Sequence, residues 1–123
     1  MTWIAVLVGG AVGTAARHGV NVAAARLWGG GPYSTAIVNI AGTLCIGLLA
    51  GSIAGGRVAM STPTRAFVFV GILGGFTTFS SYMLDTLTLV ESGEAGRALL
   101  NLLGQVALGW VVVYLGFRLG QGI

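Results

Sequence analysis

The chain has 123 residues, of which 55% are hydrophobic and 7% charged, with a mean hydropathy of +0.92. A water-soluble domain draws about a quarter of its residues from the charged types, so this chain cannot build a polar shell. The net charge of +3 is carried by arginine alone, mostly at the ends of apolar runs, as membrane proteins place it. The lipid bilayer is therefore an expected partner and nucleic acid is not.

The first apolar run predicts a span at about 3–25. It is also readable as a secretory signal, but no basic residue accompanies Met1, Thr2 and Trp3 ahead of the apolar core. Arg17 lies inside this run, roughly 12 Å from its end at 1.5 Å per residue. A guanidinium at the bilayer centre costs about 2.5–3.5 kcal/mol on insertion scales. Arg17 either snorkels along its stem or faces a wet vestibule or a carbonyl cluster, where it attracts anions or fixes the fold. Gly29, Gly30, Gly31 and Pro32 then break the chain.

The second span, about 34–54, carries Asn39 near its middle, with Thr35 and Thr43 one turn to either side on the same face. Such groups either join helices by hydrogen bonds or form a polar track that donates to a passing ion. A short loop with Arg57, Pro63 and Arg65 leads to the third span, about 66–90. At its centre stands Gly74-Gly75-Phe76-Thr77-Thr78-Phe79-Ser80-Ser81-Tyr82. A glycine pair followed by β-branched and hydroxyl residues makes a poor helix, so a break is expected here. At membrane depth, freed backbone groups are tolerated only when buried in protein or lining water. Phe79 and Tyr82 share a face, and aromatic ring edges carry partial positive charge that suits an anion. The fourth span is about 97–119.

The expectation is one all-α transmembrane domain over 1–123, with four helices, the third broken, and both termini on one side. Arg57, Arg65 and Arg118 fall at one end and Arg26 and Arg97 at the other, too even a split to fix an orientation. Glycines spaced by four (Gly9 and Gly13, Gly47 and Gly51, Gly51 and Gly55, Gly71 and Gly75, Gly116 and Gly120) mark close helix packing. Cys45 is the single cysteine, and the single histidine, His18, stands beside Arg17. No nucleophile–base pair is evident, and no enzyme is expected.

These residues carry a resemblance that spans all four runs. Gly13-Thr14-Ala15-Ala16-Arg17-His18, the stretch 35–47 with Asn39, Gly42 and Thr43, and the stretch 74–85 resemble in order the motifs of the CrcB/Fluc fluoride channels. The resemblance implies an antiparallel, dual-topology dimer in the plasma membrane that exports fluoride passively through two narrow pathways. It also implies a structural, untransported Na⁺ on main-chain carbonyls at Gly74 and Thr77 of both subunits. Asn39 matches the pore asparagine and Phe79 the first of two pore phenylalanines. Thr43, Ser80 and Ser81 are candidate hydroxyl donors along the same pathway, and Arg17 belongs to the vestibule or braces it.

Three positions depart from the family pattern. Tyr82 replaces the second pore phenylalanine, Asp85 replaces a vestibule glutamate, and Gln105 stands where serine is common. The Tyr82 hydroxyl is expected either to obstruct the pathway or to donate to the anion. Tyr82 and Gln105 together keep a heterodimer with a second family member, or a non-conducting subunit, open beside a homodimer. A small multidrug antiporter would need a membrane-embedded carboxylate in the first span, where this chain has Arg17.

Overall fold

The structure, a computed structural model, describes residues 1–123 and consists of helices joined by short turns. In chain order these are α1 (Thr2–Trp28), α2 (Pro32–Ala54), a short α3 (Thr62–Arg65), a π-helical segment π1 (Ala66–Leu73), α4 (Gly74–Phe76), α5 (Phe79–Glu91) and α6 (Ala95–Gln121). Segments α3, π1 and α4 run on from one another and, with α5, make the third arm.

Three stretches are long and apolar enough to cross a membrane: Pro32–Ala54, Thr62–Glu91 and Ala95–Gln121. The four expected spans are thus four long helical arms, of which α1 is the exception in composition. It has 27 residues, about 40 Å at 1.5 Å per residue, but Arg17, His18 and Asn21 lower its hydropathy. The chain is a multi-pass membrane protein by these lengths and compositions.

Turn chemistry sets the helix ends. Gly29, Gly30 and Gly31 all take positive φ, at 76°, 83° and 96°, a left-handed path that side chains resist. The Gly29 N–H closes α1 on the Ala25 carbonyl, and Pro32 opens α2, where its missing donor costs nothing. Ser61 caps α3 by accepting from the Thr64 N–H. At the other end of the chain, Arg57 Nη1 donates to the Gly120 carbonyl at 3.3 Å, placing a cation on the negative end of α6. Arg97 bonds Glu94 at 2.7 Å and the Tyr33 hydroxyl at 3.0 Å. The two arginine groups therefore mark opposite ends of the bundle, as the sequence divides them.

The expected glycine pairs are where the helices meet. In α2, a side chain on Gly47 would strike the Val113 carbonyl of α6 at 2.6 Å, and one on Gly51 would strike the Phe117 carbonyl. From the other side, Gly116 and Gly120 press on the carbonyls of Leu44 and Leu48. In α1, Gly9 and Gly13 meet the Phe67 and Ile72 carbonyls of π1, while Gly75 meets the Gly10 carbonyl at 2.7 Å. Two tight pairs result, α2 on α6 and α1 on the first half of the third arm. In lipid such backbone approach is what drives association, since apolar side chains gain nothing by leaving the tails.

The break in the third arm falls two residues later than the glycine pair suggests. Gly74 is helical, with φ −64° and ψ −37°, and Gly75 serves the packing on α1. Thr77 and Thr78 are extended instead, with ψ of 157° and 119°, a conformation that β-branched residues favour. The wide-turned π1 segment ahead of the break was not legible in the sequence. Such segments recur at functional sites.

Only 17 of the 123 residues are buried, so most apolar side chains await lipid or a second protein surface. The packing predicts opposite outcomes for two glycine substitutions. Gly51→Val should destabilise the fold by about 3 kcal/mol, because the obstructing atoms are backbone of Phe117. Gly96→Ala, with open space around it, should be neutral or stabilising by up to about 0.5 kcal/mol. Thermal unfolding of the detergent-solubilised variants checks both.

Candidate functional site

The break leaves backbone groups without helical partners, and a single side chain answers for both the donor and the acceptor of one residue. The Thr78 N–H donates to Asn39 Oδ1 at 2.8 Å, and Asn39 Nδ2 donates back to the Thr78 carbonyl at 3.0 Å. Asn39 stands on α2, so this two-point clamp ties the second arm to the centre of the third. In a continuous helix the Thr78 N–H would reach the Gly74 carbonyl. Its diversion to Asn39 leaves the Gly74 carbonyl without that donor. Thr77 keeps the preceding turn closed, donating from both its N–H and its Oγ1 to the Leu73 carbonyl at 3.0 Å.

Below the break, α5 begins with a side-chain cap. Thr78 Oγ1 accepts from the Ser81 N–H at 3.3 Å, satisfying one orphan donor of the first turn. The Ser81 hydroxyl stands 3.1 Å from Thr78 Oγ1 and the Ser80 hydroxyl 3.4 Å. The start of α5 thus gathers three hydroxyls and the positive end of a helix dipole.

A cavity of about 330 Å³ opens beside the break. It brings together Asn39, Thr43, Gly74, Thr77, Phe79 and Tyr82 from the predicted set, with Gly42 and Thr78 added. A side chain at Gly42 would collide with the Thr77 Cγ2 methyl, so glycine there admits the extended strand. Phe79 is 73% exposed at the rim and meets Tyr82 edge-on, with centroids 5.9 Å apart and planes at 70°. Thr43 Oγ1 donates to the Asn39 carbonyl at 2.6 Å. Ser80 and Ser81 lie next to the cavity through Thr78. Thr35, the third member of the predicted polar face, is buried and stands outside the lining.

In this structure the Tyr82 hydroxyl is engaged away from the cavity. The side chain is 5% exposed, and its hydroxyl donates to the Leu102 carbonyl on α6. The ring edges the cavity, while the oxygen points into the α5–α6 contact. It neither obstructs the open space nor offers a free donor there.

Gln105 does join the site, from α6. Asn39 Nδ2 donates its second hydrogen to Gln105 Oε1 at 3.3 Å. Gln105 Nε2 donates to Asn101 Oδ1, Asn101 Nδ2 to Thr86 Oγ1, and Thr86 Oγ1 to the Tyr82 carbonyl, each at 2.9 Å. Asn101 and Thr86 are the members of this network that sequence reading missed. The signal for Asn101 was its i, i+4 spacing to Gln105, which puts two carboxamides on one face of an apolar helix. Asp85 and Arg17 stand outside the cavity lining. Asp85 has one buried oxygen, Oδ2, with no hydrogen-bond partner. Arg17 is half-buried on α1, where Thr14, His18 and Asn21 are exposed around it.

The family model described as CrcB-like protein, Camphor Resistance (CrcB), matches residues 4–117. A curated protein of Paracoccus denitrificans named fluoride-specific ion channel FluC is 48% identical, over 99% of this chain and 96% of its own. The protein of that name from Methylobacterium nodulans is 51% identical over 86% of this chain and 85% of its own. One from Thermus thermophilus is 44% identical over 98% of this chain and 94% of its own. With the match running from the first arm to the last, this chain belongs to the CrcB family, and the relatives above are named as ion channels, not as enzymes.

Proposed function

We propose that this protein is a fluoride-specific channel that lets fluoride leave the cell down its gradient across the plasma membrane. The observation that carries this reading is the clamped break at Thr78. It opens an aromatic-edged, hydroxyl-rich cavity in the middle of a membrane-crossing arm, in a chain whose relatives bear the name of fluoride channels.

Fluoride is small and strongly hydrated, so the pathway must replace water hydrogen bonds without holding the ion too tightly. Phe79 and Tyr82 offer ring edges, and their close walls disfavour larger anions. Ser80, Ser81 and the α5 N-terminus supply donors and positive potential. Asn39 has one N–H committed to Thr78, so it serves the anion with the N–H that now faces Gln105. Thr43 serves once its hydroxyl turns from the Asn39 carbonyl. Arg17, with the polar stripe around it on α1, raises the anion concentration at the entrance. Asp85 tempers that potential at the vestibule.

The working unit in this reading is a homodimer with antiparallel subunits. The even division of arginines between the two ends permits insertion both ways. The exposed Phe79 rim and the α1 polar stripe are faces that a second copy would cover. The donor set also fits a structural Na⁺, a hard cation that takes oxygen ligands. The Gly74 carbonyl lacks its helical donor, the Thr77 carbonyl lies in the extended segment, and no cluster of His, Cys, Asp or Glu competes for the ion. Gly74 and Thr77 of two copies would hold it, and its charge would favour anions nearby. The engaged Tyr82 hydroxyl favours the homodimer over a pair that depends on a second gene product.

Purified protein reconstituted alone in Na⁺-containing liposomes should release fluoride rapidly and retain chloride, read with ion-selective electrodes. Fluoride retention by folded protein would overturn the self-sufficient channel. Phe79→Ile should lower fluoride efflux by about tenfold or more while leaving the elution volume of the assembled protein unchanged. Asn39→Asp keeps the acceptor for the Thr78 N–H but loses both donors and adds negative charge. It should lower efflux by at least about tenfold in the same assay.

A further inference from the structure

Helices α2 and α6 touch near both ends and part between them. At the start, Arg97 Nη2 donates to the Tyr33 hydroxyl at 3.0 Å. Further on, Gly47 and Gly51 bring the α2 backbone onto Val113 and Phe117 of α6. Between these contacts lies a crevice of about 620 Å³. All nine residues of its wall are apolar, among them Ile37, Ile40 and Leu44 of α2 and Leu108, Val112 and Leu115 of α6. Its floor is closed, since a side chain on Gly109 would meet Ile40 at 4.0 Å. The crevice faces away from the break. Ile37, Ala41 and Leu44 each stand two residues from Asn39, Thr43 and Ile46, which line the cavity at the break. Two residues turn a helix by about 200°, so the two linings occupy opposite sides of α2. A second copy seated on the Phe79 rim approaches from the other side.

At its mouth the wall changes chemistry. A smaller hollow is lined by Trp28, Tyr33, Ala36 and Ile37, and shares the last two with the crevice. Trp28 and Tyr33 are 58% and 52% exposed, and amphipathic rings of this kind belong at headgroup level. The Tyr33 hydroxyl accepts from Arg97, which leaves its own proton free to donate. A guanidinium has five N–H donors. Glu94 takes one of those on Arg97 and Tyr33 another, and the side chain is half exposed. The remaining donors are open to an anion at the mouth. From Tyr33 to Leu44 the crevice runs roughly 16 Å at 1.5 Å per residue, about half of a hydrocarbon core of about 30 Å.

We propose that the α2–α6 crevice is a binding site for one glycerophospholipid, with an acyl chain laid along Ile37, Ile40 and Leu44 and the phosphate held by Arg97 and Tyr33. The site does not depend on which ion the protein conducts. Its shape and its charge each select the occupant. A helix of a second copy is about 10–12 Å across with its side chains, too wide for walls that close at Ile40 and Gly109. An acyl chain is thin and apolar throughout, and one leaflet is as deep as the crevice from Tyr33 to Leu44. Such a chain gains no hydrophobic free energy on leaving bulk lipid. The preference for this site over the rest of the surface therefore comes from the phosphate, which accepts charge-assisted hydrogen bonds from Arg97 and one from the free Tyr33 proton. The fit of the chain sets where the lipid lies, and the headgroup contacts set how long it stays.

The probe is a phosphatidylglycerol with a photoreactive diazirine midway along one acyl chain, added to the full-length protein in detergent and crosslinked by light. Mass spectrometry of the peptides should place the label on Ile37–Leu44 and on Leu108 and Val112, saturably. Leu103, Trp110 and Tyr114 are exposed on another side of α6 and report ordinary lipid contact. Equal labelling of the two sides overturns the inference, and so does a crevice left unlabelled because a second copy fills it. Ala41 lines the crevice and is itself exposed, so Ala41→Phe has room to fill the groove. It should cut crevice labelling by about tenfold with the elution volume unchanged. Arg97→Gln should lower it by about tenfold as well. A fatty alcohol with the same photoreactive chain and no phosphate should label the crevice at least about tenfold less at equal concentration. Equal labelling by the alcohol, or by the Arg97→Gln protein, overturns the phosphate anchor and with it the site.

Discussion

A peptide group exposed at membrane depth has no water to bond, and each one left unpaired costs several kcal/mol. This structure places two such groups on either side of the Thr78 Cα and satisfies the donor of one and the acceptor of the other with one asparagine. The rest of the site follows from that pairing. Because Asn39 takes the Thr78 N–H, the helix ends at Phe76 and restarts at Phe79. Because the restart is capped by Thr78, the hydroxyls of Ser80 and Ser81 gather at a helix N-terminus. The cavity occupies the room that the diverted chain leaves. A polar residue inside an apolar helix is ordinarily a liability in lipid. Here it is what makes a non-helical stretch admissible there.

Holding that clamp in register requires α2 and the third arm to keep their positions without a large buried core. Side chains contribute little, since few are buried and Val38 is the largest one fully enclosed. The glycines substitute backbone contact for side-chain packing, locking α2 to α6 and α1 to π1. The two pairs meet at the site itself. Asn39 comes from one pair, Thr78 from the continuation of the other, and Gln105 from α6 closes the set. A fold assembled from two rigid pairs with a polar seam between them places the break in its third arm on that seam. The same economy of burial leaves wide apolar faces, and a polar stripe on α1, exposed.

The directed chain from Thr78 to Tyr82 adds a property that isolated pairs lack. In a low-dielectric interior, satisfied polar networks hold a specific arrangement firmly, and a half-satisfied one is costly. Carboxamides can satisfy such a network in either direction, because each carries a donor at one end and an acceptor at the other. Asn39, Gln105 and Asn101 use both ends in this way, each donating and accepting along one line from the break to α6.

The sequence by itself determined the class of protein, the four helical arms and the surfaces on which they pack. Hydropathy and glycine spacing are local, repeating signals that survive without knowledge of the partner. It also determined that the stretch after Gly74 would break, and that Asn39, Thr43, Phe79 and Tyr82 were the residues to watch. Only the tertiary structure decided where the break falls, since Gly74 and Gly75 remain helical and the diverting acceptor comes from Asn39, 39 residues away along the chain. The direction of the Tyr82 hydroxyl was decided the same way, by a carbonyl on α6. So was the recruitment of Asn101 and Thr86, whose side chains are inconspicuous until Gln105 is brought beside Asn39. Hydrogen bonds are short and directional, so their partners depend on how three arms converge in space. No spacing along one arm carries that information.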